Sequence, residues 1–259
     1  MKATHALSGF ALAALAASNS IAGLETGLVA HYTFDNGAVI DNSPNQFDLA
    51  AASGSLPAIV ASPIGGPSDA ALFGGGSSSV LTAGQQSAFD NLNDTFSIAF
   101  WIRPTADGIV IDKDQIGTTT SDWNIRVRNG GFLAFEFGTN GLENTTMSLD
   151  DGAWHHVAYV RNRALGILDI YVDGALDRSA TGRFNDFSGN TDALNIGGWE
   201  LGSMGNFADG FAGGLDDLRF YDRLLTSEDV AALAVPAPAG LGLFAAYGFG
   251  AIRRRRRPA

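Results

Sequence analysis

The stretch that decides the fold is FSIAFWIR, residues 96–103. Its apolar residues fall at every second position from Phe96 to Ile102 and share one face, while the residues between them share the other. This period is typical of a β-strand that is buried on one face. Pro104 is predicted to stop the strand, because proline cannot donate a backbone hydrogen bond.

The same alternation recurs on both sides of a tight turn. WNIRVR at residues 123–128 and FLAFEF at residues 132–137 flank Asn-Gly-Gly, which predicts a β-hairpin. One amphipathic helix is predicted after Thr226 or Ser227, with acidic residues in its first turn. Residues 50–80 are interpreted as loops around one short strand. Strands are also predicted at 28–34, 70–73, 108–111, 154–161, 167–172, 194–197 and 215–221.

Many short strands and a single short C-terminal helix favour an all-β fold, a two-sheet antiparallel sandwich or jelly roll. Composition then limits the chemistry of this fold. The 259 residues include no Cys, which excludes disulfides, thiolate nucleophiles and cysteine zinc sites. Residues 23–234 hold 10 basic and 27 acidic side chains, a net charge of −17, so this surface would repel nucleic acid.

The two ends of the chain are predicted to direct its export. Residues 1–22 resemble a signal peptide, with Lys2, an Ala- and Leu-rich run, and small residues up to Ala22. Residues 237–252 are uncharged and precede Arg253, the first of five arginines, which predicts an apolar C-terminal helix with its N-terminal side outside the cytoplasm. The predicted division is a signal peptide over 1–22, a folded domain over 23–234 and a tail over 235–259.

The central residues resemble the laminin-G-like, concanavalin A-like jelly-roll domains. The resemblance implies a two-sheet jelly roll whose first and last strands are neighbours, which binds glycans or proteins and often holds a structural calcium ion. Pro44 stands where the family often has Gly. The landmarks are LVAHYTFD (28–35), DNSPN (41–45), FSIAFWI (96–102), WHHVA (154–158), IYVDG (170–174) and GLDDLRFYDR (214–223).

The tail resembles the PEP-CTERM sorting signal, with Val235, Pro236 and Pro238 before the apolar segment and Arg253 opening the arginine run. Ala237 stands where that family usually has Glu. The resemblance implies recognition by an exosortase-type enzyme and at least transient contact with the membrane. It also implies delivery to the cell surface, outer envelope or extracellular matrix of a Gram-negative-type bacterium. A simple tail anchor stays open as the alternative.

Four residues are the candidate calcium ligands: Asp35, Asp41, Asn45 and Asp216. Asp216 has the same parity as Leu218 and Phe220 on the last strand, so it is predicted to point inward with them. Neighbouring first and last strands would bring Asp216 towards Asp35 and the loop that holds Asp41 and Asn45. Oxygen ligands from several segments suit calcium. The alternative is that these side chains cap turns without a metal.

Catalytic motifs are not apparent. The five Glu residues do not form the Glu-x-Asp-x-x-Glu pattern of the laminarinase-type glucanases, and Gly-x-Ser-x-Gly is absent. A jelly-roll polysaccharide lyase stays possible, because such enzymes use Tyr, His and Arg without a short motif. We therefore predict a domain without catalytic activity.

Trp199 and Glu200 are the candidate ligand-binding residues, because an aromatic face beside a polar group at a strand end can stack on a sugar ring. The alternative is an aromatic side chain that covers the edge of the sandwich. Together these features predict an exported module, adhesive or matrix-associated, that binds carbohydrate or protein. A carbohydrate-active enzyme and a structural matrix protein without a small ligand are the competing classes.

Overall fold

The computed structural model describes residues 23–64, 68–114, 122–138, 141–200 and 206–235. In this part of the chain two antiparallel sheets stack face to face, as the alternating patterns predict. The predicted signal peptide and the sorting residues Pro236, Pro238 and Arg253 lie outside the described residues, and Val235 is the last described one. No helix within the described ranges is long and apolar enough to cross a bilayer.

The first sheet contains eight strands. Leu28–Tyr32 (β1) pairs with the last strand of the chain, as the family resemblance implies. The other seven follow one another in the order Ala175–Ala180 (β13), Ile167–Val172 (β12), His155–Asn162 (β11), Thr95–Ala106 (β6), Ala212–Tyr221 (β17), Asp69–Gly74 (β4) and Ala58–Ala61 (β3).

The second sheet contains seven strands, and a two-stranded ribbon accompanies it. The ribbon pairs Trp199–Glu200 (β15) with Phe207–Ala208 (β16). One short helix, Ser87–Asp90, and two 3-10 turns, Asp35–Gly37 and Arg163–Leu165, lie in connections. The strand order of the sheet is Gly141–Asn144 (β10), Phe132–Phe137 (β9), Trp123–Arg128 (β8), Gly108–Lys113 (β7), Leu194–Ile196 (β14), Ser79–Gly84 (β5) and Ala50–Gly54 (β2).

The main core lies between the two sheets. The four apolar residues of β6 that alternate from Phe96 to Ile102 are all fully buried in it. Trp123 stacks on Phe135 with ring centroids 5.6 Å apart, so the predicted hairpin contributes its inward face to this core. The period-2 pattern thus places one face of each long strand between the sheets.

A second, smaller core lies on the outer face of the first sheet. The helix Ser227–Leu233 buries Val230 and Leu233 there against Leu28 and Tyr221. Thr226 caps this helix, because its hydroxyl accepts the backbone N–H of Asp229 at 3.1 Å while the Asp229 carboxylate accepts the N–H of Thr226. The predicted helix and its cap are therefore confirmed.

Strand β17 has two halves with different partners. Residues Ala212–Leu215 pair with β4, whereas Leu218–Tyr221 pair with β1. Between the halves the register against β6 shifts, and Asp217 adopts the left-handed conformation with φ of 47°. The parity of the strand therefore changes at this bulge.

Two predictions about strands were wrong. Strand β6 continues past Pro104 to Ala106, because the ladder shifts register beside Gly213 and tolerates the missing donor there. Residues 50–80 contain β2, β3 and the start of β5 as well as the predicted short strand. The two missed edge strands, AAASG and AIVA, are mostly exposed, and neither alternates apolar with polar residues.

Candidate functional site

A row of polar side chains crosses the outer face of the second sheet. Each member lies directly opposite the next on the neighbouring strand, and such partners point to the same face. The flanking residues Ile196, Ile111, Ile125 and Phe135 all lie in the core, so the row faces outward. We call this set the polar row, and its members in order are Thr82, Asn195, Asp112, Asn124 and Glu136.

The ribbon lies over part of the polar row. The backbone N–H of Glu200 donates to Oδ2 of Asp112 at 3.4 Å, and the N–H of Ile109 donates to the carbonyl of Asp209 at 2.7 Å. A Cβ at Gly198 would come within 2.7 Å of the Val80 side chain, so glycine allows the chain to lie directly on the sheet there. As a result Asp112 is fully buried although it points away from the core.

Three polar atoms at this face are buried and unpaired. Oδ1 of Asp112, Oδ1 of Asn124 and Nε1 of Trp199 have no hydrogen-bond partner in the described part of the chain. A buried polar group without a partner costs about 1–3 kcal/mol, so such groups are rare in native proteins. These three atoms are buried from solvent, and none of the three residues lines the cleft beside the polar row.

A cleft of about 560 Å³ opens at one end of the polar row. It is of the size that holds a small ligand or a few sugar units. Its floor comes from strands β5 and β14, and one wall comes from the ribbon. The lining includes Thr82, Gln85, Asp114, Asn195, Glu200 and Phe207.

Negative charge dominates the electrostatics of the cleft. The pKa of Asp114 is raised to about 6, first by burial and then by the nearby carboxylates of Asp122 and Asp192. Burial, together with the charge of Asp114, also raises the pKa of Asp112 well above its usual value. Both shifts come first from burial and then from the closeness of other carboxyl groups.

Both predicted ligand-binding residues lie at this face. Glu200 lines the cleft, and Trp199 lies half-buried beside it in the ribbon. Their roles in ligand binding stay predictions. Sequence analysis missed Asp112, Asn124 and Asn195, although Asn124 and Asn195 each lie between two apolar residues of a strand and Asp112 follows one. That alternation could have indicated an outward direction, whereas the register that aligns the three residues could not be read.

Two of the predicted calcium ligands instead organise a loop. Oδ1 of Asp41 accepts the N–H groups of His31 and Ser43, and Oδ2 accepts the Ser43 hydroxyl and the N–H of Phe47, at 2.8–2.9 Å. The Asn45 side chain donates to the carbonyl of Val29 at 2.9 Å. Both residues fasten the loop after the first strand to that strand.

The other two candidate ligands lie near each other at the bulge of β17. Asp216 is buried, and Ser62 donates to its Oδ2 at 2.5 Å. Burial raises the pKa of Asp216 to about 7, and the charges of Asp217 and Asp35 contribute. Asp216 lies opposite Trp101 on the outer face, so the prediction that it points inward was wrong: the bulge reverses parity before Leu218.

The four candidates therefore do not form a single calcium site. Both oxygens of Asp41 are already occupied by donors, and the described ranges hold no group of three or more His, Asp or Glu side chains that could bind a metal. Calcium binding stays a prediction.

The fold defines the chain as a two-sheet jelly-roll domain of the laminin-G-like kind. The family model described as the concanavalin A-like lectin/glucanases superfamily matches residues 74–231, and the chain belongs to that superfamily.

The curated relatives match this chain over a small part of their own length. A stretch of 150 residues is 32% identical to the rat sushi, von Willebrand factor type A, EGF and pentraxin domain-containing protein 1, covering 54% of this chain and 4% of that protein. The chain thus corresponds to a small part of that relative.

Solved structures that share the fold include two saccharide complexes. Domain 4 of AbnA, a GH43 extracellular arabinanase from Geobacillus stearothermophilus, in complex with arabinotriose, is 22% identical with a TM-score of 0.60, covering 80% of this chain and 98% of that one. The CBM40 of the Ruminococcus gnavus IT-sialidase, bound to α2,3-sialyllactose, is 14% identical with a TM-score of 0.52, covering 64% and 96%. At these identities the likeness shows the fold alone.

Proposed function

We propose that this domain binds carbohydrate, without catalysis, in the cleft beside the polar row. The single observation that carries the proposal is the cleft of about 560 Å³ lined by hydrogen-bonding side chains, among them Thr82, Gln85 and Asn195. Sugar hydroxyl groups both donate and accept hydrogen bonds, so a saccharide can pair with such side chains. The arabinotriose and sialyllactose complexes of the two fold neighbours support the same ligand class.

The proposal is tested by glycan binding with matched variants. Purified protein is applied to an array of plant and microbial polysaccharides, and the strongest ligand is titrated by calorimetry. Gln85→Ala, in the cleft lining, and Trp199→Ala, beside it, are each expected to weaken binding about tenfold, the effect of one lost hydrogen bond or stacking contact. Glu25→Gln, an exposed position away from the cleft, serves as the control and should bind like the wild type. Binding that survives both cleft variants would place the ligand elsewhere.

The competing functions have their own readouts. A polysaccharide lyase would release unsaturated sugars, which absorb ultraviolet light, from uronate polymers. A structural matrix protein would neither bind on the array nor release such products. We propose the binding role because the residues that line the cleft offer hydrogen-bonding groups to a saccharide.

We also propose that the two ends of the chain direct export. Residues 1–22 would act as a signal peptide, and residues 235–259 as a sorting tail that contacts the membrane and an exosortase-type enzyme. The cell surface, outer envelope or extracellular matrix of a Gram-negative-type bacterium is the expected destination. Fractionation of cells that express the full chain, compared with a variant whose five terminal arginines are replaced by serine, tests this proposal. Retention of the variant in the envelope fraction in place of release supports the sorting role.

A further inference from the structure

The lining of the cleft carries acidic but no basic side chains. Asp114, Asp192 and Glu200 contribute carboxyl groups, and the described lining residues include no Lys, Arg or His. A ligand in this cleft therefore meets carboxyl groups, and no described lining residue offers it a cation.

The basic residues nearest in sequence do not line the cleft. The Lys113 side chain points to the other side of β7, where Nζ donates to Oδ1 of Asp90 at 2.8 Å and to the carbonyl of Asp192 at 2.9 Å. Arg126 and Arg128 share the outer face with the polar row, but their guanidinium groups approach Glu136 at 3.8 and 2.9 Å. Neither arginine lines the cleft.

From this charge arrangement we infer that the cleft selects uncharged saccharides and rejects glycans that carry carboxylate or sulfate groups. The inference rests on the proposed carbohydrate binding and names its ligand class. Like charges a few ångströms apart repel more strongly at a partly buried site than in water. Recognition of an acidic sugar ordinarily uses an Arg or Lys that pairs with its carboxylate, and this cleft offers none among its described lining residues.

The raised pKa of Asp114 supports this inference. At about 6, it indicates that burial and the neighbouring carboxylates already make one more negative charge unfavourable in the cleft. A ligand carboxylate placed there would meet the same repulsion. An uncharged ligand would not.

The test uses pairs of glycans that differ only in charge. β-1,4-Galactan, β-1,4-mannan and β-1,4-glucan oligosaccharides are each compared with a partner whose primary hydroxyl groups have been oxidised to carboxylates. The full chain is expected to bind at least one uncharged member and to bind its carboxylated partner at least tenfold more weakly. Raising the salt concentration should reduce this difference in affinity, because salt screens the repulsion between the carboxylates of the cleft and of the glycan.

Matched variants separate charge from other effects. The double variant Asp114→Asn and Glu200→Gln should reduce the difference in binding affinity between the uncharged glycan and its carboxylated partner. The control, Glu25→Gln with Asp150→Asn, removes the same charge at exposed positions and should leave that difference unchanged. Equal or tighter binding of the carboxylated partners by the wild type would overturn the charge inference and leave carbohydrate binding standing. Binding of no member of any pair, by wild type or variant, would overturn the proposed function and this inference with it.

Discussion

At Asp41 a single carboxylate holds the loop after the first strand in place. Its two oxygens accept four donors, three of them backbone N–H groups from His31, Ser43 and Phe47. The sequence indicated Asp41 as a calcium ligand, but it could not distinguish a carboxylate that binds a metal from one that accepts backbone N–H groups. That distinction depends on the geometry of the loop, which cannot be read from the identities of the four candidate ligands.

Replacing Asp41 should destabilise the domain in the same way with and without calcium. Asp41→Ala leaves several donors without an acceptor, and we expect a loss of roughly 2–4 kcal/mol in the free energy of unfolding. Urea denaturation of the wild type and the variant, in chelator and in calcium, measures this loss, and Asp150→Ala at an exposed position is the control. A loss that appears only in calcium would show that Asp41 binds the ion.

His155 should stabilise the fold in a pH-dependent way. Burial by itself would lower the pKa of His155, but hydrogen bonds to Asp173 at 2.9 Å and Asp151 at 3.2 Å outweigh it and raise the pKa. Because the folded-state pKa is the higher one, the stabilisation is fully present below the ordinary value of about 6.5 and is lost as pH rises through the raised value.

Urea unfolding at about pH 5.5 and about pH 8.5 measures this effect. His155→Asn should lose more stability at the lower pH, by less than about 1 kcal/mol because both carboxylates are largely exposed. His156→Asn is the comparison, since burial lowers the pKa of His156 to about 4 and keeps it neutral in this range. An equal loss at both pH values for His155→Asn would contradict the expected linkage.

At the scale of elements, apolar alternation was a reliable guide where a strand packs on the main core. Ile167–Val172 has the predicted bounds, and β6, β8 and β9 lie where the pattern indicated. Edge strands and the bulge in β17 could not be predicted. Ala50–Gly54 and Ala58–Ala61 form strands because the backbone of a neighbouring strand pairs with them. The change of side-chain parity after Asp216 depends on where the pairing of β17 with β4 ends and its pairing with β1 begins. The same limit hid the polar row, whose residues are aligned by register alone.

The cap of the C-terminal helix should contribute measurably to stability. Thr226→Ala removes the hydroxyl that accepts the N–H of Asp229, and we expect a loss of about 1 kcal/mol. The helix covers Leu28 and Tyr221, so a frayed first turn also loosens the second core. Thermal denaturation monitored by circular dichroism measures the loss. Thr226→Ser keeps the hydroxyl and should be near wild type; a loss equal to that of the alanine variant would argue against the cap.

At the scale of the whole molecule, the first strand and the last strand complete each other. Without β1 the second half of β17 would have no partner on one side, and the second core would lose Leu28. The sequence predicted this pairing through the family resemblance, because no local pattern joins residues so distant in the chain.

Residues 23–235 expressed alone should therefore fold and unfold in a single transition, because both cores share strands of the first sheet. A fragment that begins at residue 36 lacks β1 and is expected to be insoluble, or to bind a hydrophobic dye in solution. Calorimetry of the longer fragment and soluble yield of both measure the difference. Two separate transitions in the longer fragment would show that the second core folds independently.

The position of Gly23 relative to the C-terminal helix has a practical consequence. Its carbonyl accepts a hydrogen bond from Arg223 at 2.8 Å, so the beginning of the domain lies beside the residues that lead into that helix. The chain therefore enters the domain at residue 23 and leaves it at residue 235 on the helix-covered side of the sandwich, whereas the cleft lies on the opposite sheet. A domain immobilised through residue 235 would thus hold its cleft outward, where a long polymer can approach without steric hindrance from the support.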